Sequence, residues 1–124
     1  MGKSFSITRQ IKSFHYALQG LRYLWNEEHN FRIHLAAAIV VVTGGCILTL
    51  TTAEWCIVLL CIALVMITET INTSIENISN YVSPGFHPAI KKIKDLSAAA
   101  VLLSSVAALI IGLIIFIPKI TALW

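Results

Sequence analysis

The sequence predicts an all-α membrane protein, with an N-terminal amphipathic surface helix followed by three transmembrane helices. Three observations carry this prediction. Of 124 residues, 57% are apolar and 12% charged, with a mean hydropathy of +0.82; an ordinary soluble domain has about 45–50% and about 25%. The charges cluster between apolar runs instead of interleaving with them. The first thirty residues carry their apolar side chains at helical spacing. A disordered tail, a disulfide scaffold and a typical cytosolic domain are thereby excluded, and a net charge of +3 gives no reason to expect a nucleic-acid partner.

A single domain over 1–124 is expected. Segment 1–31 is read as the surface helix, because Ile7, Ile11, Phe14, Leu18, Leu21 and Trp25 share one helical face. Arg9, Lys12, Gln19 and Arg22 lie off that face, a pattern suited to a membrane surface. Glu28 falls at the edge of the apolar stripe and would point toward the bundle. Residues 33–51 form the first span, just long enough to cross a hydrocarbon core, with Gly44-Gly45 permitting close helix approach. In the connection Thr51-Thr52-Ala53-Glu54, Thr52 is read as the helix cap and Glu54 as a first-turn acid. The second helix, 54–81, begins apolar at Trp55 and ends polar. Ser83-Pro84-Gly85 and His87-Pro88 mark a loop, and 89–118 is the third span, ended by Pro118-Lys119.

Residues 1–32 contain no uninterrupted apolar stretch followed by a small-residue cleavage site, so no signal peptide is expected. Basic residues (Lys3, Arg9, Lys12, Arg22, Arg32) crowd the N-terminal segment, and Lys91, Lys92 and Lys94 the second loop, whereas 51–54 has none. The positive-inside rule then puts the N-terminus in the cytoplasm and the C-terminus outside. Cys46, Cys56 and Cys61 are odd in number and lie in apolar runs without metal-ligand spacing, so they are read as packing residues.

The chemistry-bearing stretch is Glu69-Thr70-Ile71-Asn72-Thr73-Ser74-Ile75-Glu76-Asn77-Ile78-Ser79-Asn80. On a helix, positions 69, 72, 73, 76 and 80 stack on one face, while Ile71, Ile75 and Ile78 face away. Two carboxylates, two carboxamides and a hydroxyl thus form a stripe at the cytoplasmic end of a span. Ionisable groups at membrane depth are costly and usually mark function. Two carboxylates two turns apart suit a hard cation such as Mg²⁺, and Glu28 could complete the site. The deeper, desolvated Glu69 could serve as a general base. Lys94 could neutralise phosphate, and Asp95 could bond ribose, base or a neighbouring lysine. These are the parts of phosphoryl transfer. From the pattern alone helix association is the first reading of the stripe, with an ion pathway and catalysis level behind it. No GxxxxGK[ST], HRD or DFG motif is present.

Glu69-x-x-Asn72-Thr73-Ser74-Ile75-Glu76 resembles the signature of the small prokaryotic lipid kinases, the diacylglycerol kinase / undecaprenol kinase family. Three further blocks resemble it in order: Gly20-Leu21 through Glu28-x-Asn30-Phe31-Arg32-Ile33-His34, then Glu54-Trp55, then His87-Pro88 with Lys94-Asp95-x-x-Ala98-Ala99. The resemblance implies a homotrimer in the bacterial cytoplasmic membrane, with active sites combining helices of neighbouring subunits. It implies transfer of the ATP γ-phosphate to a membrane lipid alcohol with Mg²⁺. Glu28 and Glu76 would be metal ligands, Glu69 the base and Asn72 an orienting group. Lys94 would contact ATP phosphate, with Asp95 and His87 near the nucleotide. Asn80 departs from the family's usual Asp, which puts any anionic role there in doubt. Asn30-Phe31-Arg32-Ile33-His34 and Ile114-Ile115-Phe116-Ile117-Pro118-Lys119 look more like the undecaprenol branch; diacylglycerol is the alternative substrate.

Other residues have plainer readings. His15, His29 and His34 read as solvent or headgroup contacts, and Trp25, Trp55 and Trp124 as an aromatic belt. Lys91 and Lys92 read as topology determinants, and Arg9 and Arg22 as contacts to anionic lipid. A small proton-coupled transporter is the competing function of another class, though the odd number of spans lacks the paired repeats of many transporters.

Overall fold

A computed structural model of the protein describes residues 4–124 and contains four helices and, among the described residues, no strands. The first three residues of the expected surface segment, Lys3 included, lie outside them. Helix α1 covers Ile7–Glu27, α2 His29–Leu48, α3 Thr52–Val82 and α4 Pro88–Thr121. The last three are long and apolar enough to cross a membrane. At 1.5 Å per residue α2 is about 30 Å long, matching one hydrocarbon thickness, while α3 and α4 reach about 46 and 51 Å. The polar stripe lies in the last turns of α3.

Ser6 caps α1 by accepting from the Arg9 amide at 3.4 Å. The chain breaks at Glu28, which is extended (φ −112°, ψ 109°) and closes α1 while opening α2. No Gly or Pro marks this break. Leu24 and Phe31 are buried on either side of it, and Arg32 Nη2 bridges it by donating to the Asn26 carbonyl at 3.2 Å.

The turn between α2 and α3 differs from expectation in its cap. Thr51, not Thr52, is the N-cap: its hydroxyl accepts from the Glu54 amide at 3.2 Å while Glu54 Oε1 accepts from the Thr51 amide at 2.9 Å. This reciprocal box needs the acid at the third helical position, which counts back to Thr51. The turn also forces Thr49 into left-handed backbone (φ 53°), a strained state for a β-branched residue. Its return is the burial of Leu50, which packs with Val58 and Ile115 into the core, against Trp55 and Phe116. Gly45 allows this approach: a Cβ there would stand 2.8 Å from Trp55 and 2.9 Å from Leu50. Trp55 is therefore half-buried against Gly45, not simply an interfacial belt residue.

Pro118 lies inside α4 instead of ending it; the helix runs to Thr121, and the Ala122 amide bonds the Pro118 carbonyl at 3.1 Å. Proline there forgoes the bond to the Ile114 carbonyl and crowds it, and the helix continues for only three further residues. Lys119 Nζ pairs with Glu54 at 3.0 Å, fastening the end of α4 to the start of α3. Along their length α3 and α4 are also joined by Thr68–Ser104 (2.8 Å), Ser97–Asn72 (2.7 Å) and Lys94–Asn80 (2.9 Å). The three cysteines are free, with Cys46 and Cys56 exposed and Cys61 half-buried.

Candidate functional site

The helical spacing of the polar stripe turns it toward the other helices. Glu69 is 1% exposed, Thr73 3% and Asn72 7%, Glu76 is half-buried, and Asn80 lies at the exposed end. Glu69 and Glu76 stand about 10 Å apart along the axis of α3, and Asn80 about 6 Å beyond.

Glu69 meets His34 of α2, whose Nε2 is 3.6 Å from Oε2. That is an electrostatic contact, too long for a hydrogen bond. Glu69 Oε2 and Thr73 Oγ1, one turn apart, are both buried without a hydrogen-bond partner. Buried orphan oxygens are expensive, and these two stand on the same face of α3. Glu28 and Glu76 lie within electrostatic reach of Glu69. The break before α2 therefore brings Glu28 back to the α3 stripe, as its place on the α1 pattern suggests.

Asn72 is held from both sides. Ser97 Oγ of α4 donates to its Oδ1 at 2.7 Å, and its Nδ2 points to Glu76 Oε1 at 3.4 Å. Lys94 Nζ donates to Asn80 Oδ1. Because this acceptor is a neutral carboxamide, Lys94 keeps its charge uncompensated. Asp95 takes the neighbouring-lysine alternative, pairing with Lys91 at 2.6 Å on the exposed surface. His87 caps α4, its Nδ1 accepting from the Ala89 amide at 3.1 Å.

Among the described residues the ion pairs are His34–Glu69, Lys91–Asp95 and Lys119–Glu54. Glu28 and Glu76 thus have no Lys or Arg partner. Unneutralised carboxylates beside a buried third one fit a divalent cation. Among the described residues no three His, Cys, Asp or Glu side chains stand close enough to cage an ion. Mg²⁺ needs only one or two carboxylates and completes its shell with water and substrate phosphate.

Three residues escaped the sequence reading. Ser97 looks like any small residue in an apolar helix. His34 reads as a headgroup contact. Tyr23 on α1 lies beside Glu27, with Glu28 and Asn77 near; the Glu27 carboxylate accepts from its hydroxyl and holds the phenol above its ordinary range. An apolar cavity of about 230 Å³ opens beside His34, between α2, α3 and α4, lined also by Ala38, Val58, Val65, Ala108 and Phe116.

Residues 15–116 match the sequence profile of prokaryotic diacylglycerol kinase. An undecaprenol kinase of Bacillus subtilis is 38% identical over 91% of this chain and 92% of its own length. A diacylglycerol kinase of Synechocystis is 36% identical over 91% of this chain and 65% of its own. A diacylglycerol kinase of Escherichia coli is 32% identical over 83% of this chain and 84% of its own. With three apolar spans and a buried carboxylate stripe between them, the chain belongs to the prokaryotic diacylglycerol kinase family and is an ATP-dependent membrane lipid kinase.

Proposed function

We propose that this kinase phosphorylates undecaprenol at the stripe joining Glu28, Glu69, Asn72 and Glu76. The observation that carries the site is the buried, partnerless Oε2 of Glu69 beside two carboxylates that have no basic partner. Glu69 acts as the base, taking the proton of the acceptor hydroxyl. The interval of about 10 Å between Glu69 and Glu76 along α3 leaves room for a hydroxyl about 3 Å from the base and a phosphoryl group beyond it. Asn72 orients Glu76. Lys94, free of an anionic partner, binds ATP phosphate. Asp95 and His87 lie toward the nucleotide.

Glu28 and Glu76 would hold Mg²⁺. Bound there, the ion would neutralise charge on the triphosphate. The cavity beside His34 is apolar and suits the first carbons of a long lipid chain. The undecaprenol assignment is supported by the 38% identity to an undecaprenol kinase over nearly the whole of both chains.

The apolar residues Ile7, Ile11, Phe14, Leu18, Leu21 and Trp25 are all exposed on α1, which supports a helix lying on the membrane surface. The chain functions as one domain, a homotrimer in the bacterial cytoplasmic membrane with its N-terminus inside and C-terminus outside. The basic residues of the N-terminal segment and second loop support that orientation.

The test is transfer of labelled γ-phosphate from Mg·ATP in mixed micelles offering undecaprenol and diacylglycerol together. A higher kcat/KM for undecaprenol supports the proposal, and preference for diacylglycerol overturns the substrate. Label in neither lipid, from folded protein, overturns the site.

A further inference from the structure

A base sealed inside a bundle must lose its proton before the next turnover. Glu69 is 1% exposed, and its Oε2 has no hydrogen-bond partner. His34 stands 3.6 Å away, with a side chain 24% exposed. His34 therefore touches the buried carboxylate and, in the first turns of α2, reaches the accessible surface of the bundle. The other groups facing this pair do not offer that route. On α3, Cys61 lines the same cavity, and Glu76 lies within electrostatic reach of Glu69, as does Glu28 at the α1–α2 break. Helix α4 brings Ser105, Ala108 and apolar side chains to the cavity, none of them charged.

We infer that His34 is a proton-relay residue that returns Glu69 to its anionic form after each phosphoryl transfer. The inference rests on Glu69 being the base. In the transfer step the acceptor O–H bond breaks as oxygen bonds to the γ-phosphorus. The β–γ bridging P–O bond breaks with its electron pair leaving on ADP, and the hydroxyl proton passes to a Glu69 carboxylate oxygen. In the reset step the resulting carboxylic O–H gives its proton to the free imidazole Nε2 lone pair of His34. The imidazolium then releases a proton to water on its exposed side. The 3.6 Å separation must shorten to hydrogen-bond length, as catalytic contacts do when substrate binds. His34 does not touch the reacting atoms; it acts through Glu69.

Gln is the discriminating replacement, because its amide NH₂ can occupy the place of Nε2 and hold Glu69 without carrying a proton onward. His34→Gln should lower kcat for lipid phosphorylation at least tenfold, with KM for ATP changed less than twofold. An imidazole must be neutral to accept a proton, so the wild-type kcat–pH profile should carry an acidic limb that vanishes from the variant. Wild-type kcat and profile in His34→Gln would overturn the relay. So would a wild-type kcat–pH profile with no acidic limb, a measurement that needs no variant to fold. Glu69→Gln, assayed alongside, separates the two ideas. If it is inactive while His34→Gln is normal, the base stands and the relay falls; if Glu69→Gln is fully active, the base itself falls.

Discussion

Ser97→Ala removes one hydroxyl from a helix face that shows no chemistry in the sequence, and it should slow the enzyme. Ser97 Oγ donates to Asn72 Oδ1 at 2.7 Å, and both residues are 7% exposed. With that acceptor engaged, the Asn72 amide must turn its NH₂ toward Glu76 Oε1, at 3.4 Å. Without Ser97 a buried carboxamide oxygen loses its donor, which costs about 1–3 kcal/mol. The carboxamide can then rotate and set oxygen against the Glu76 carboxylate. If the loss falls wholly on the transition state, kcat drops about 5- to 150-fold, since about 1.4 kcal/mol is tenfold. The assay is steady-state phosphate transfer to lipid with Mg·ATP varied. The expected result is a fall in kcat near tenfold with KM for ATP within about twofold. Ser97→Thr, which keeps the hydroxyl, should recover most of the rate. Because Ser97 acts through Asn72, Ser97→Ala should cost nothing further in an Asn72→Ala background. Wild-type kcat in Ser97→Ala, or simple additivity with Asn72→Ala, would refute the reasoning.

Three other perturbations follow from the geometry. Glu76→Gln should abolish turnover by removing a Mg²⁺ ligand, while the protein still inserts and keeps its helix content; near-normal turnover would sink the metal assignment. Asn80→Asp converts the Lys94–Asn80 hydrogen bond of 2.9 Å into an exposed ion pair worth about 0.2–1 kcal/mol, so KM for ATP should rise about 1.4- to 5-fold with kcat unchanged; an unchanged KM would show that Lys94 does not meet phosphate. Gly45→Ala drives a methyl into Trp55 and Leu50 at 2.8 and 2.9 Å, an overpacking cost of about 1–3 kcal/mol only partly offset by about 1 kcal/mol of helix propensity. Its activity should be lost at lower temperature than wild type, whereas Gly44→Ala, whose Cβ would meet Phe116 at an ordinary 3.5 Å, should behave normally.

Much of the architecture is legible without coordinates because hydrophobic burial in lipid writes long signals. An uncharged run from Leu96 to Ile117 has little choice but a spanning helix. The Glu69–Asn80 stripe is equally plain, because a period near 3.6 assigns those positions to one face whatever surrounds them. The short signals misled. Thr51 and Thr52 differ by one position, and only the reciprocal bond with Glu54 distinguishes them. Pro118 reads as a terminator, yet the helix continues past it to Thr121, where Lys119 pairs with Glu54 of α3.

Residue type and spacing determined by themselves that this chain is helical, membrane-bound and equipped with a buried carboxylate face. Which residues meet that face was decided by tertiary structure. The break at Glu28 has no Gly or Pro to announce it, and it coincides with the burial of Leu24 and Phe31. His34 lies 35 positions before Glu69, and Ser97 is 25 positions after Asn72. Periodicity describes one helix at a time; the pairing of faces depends on how close backbones approach. Here Gly45 beneath Trp55 permits the close approach of α2 and α3.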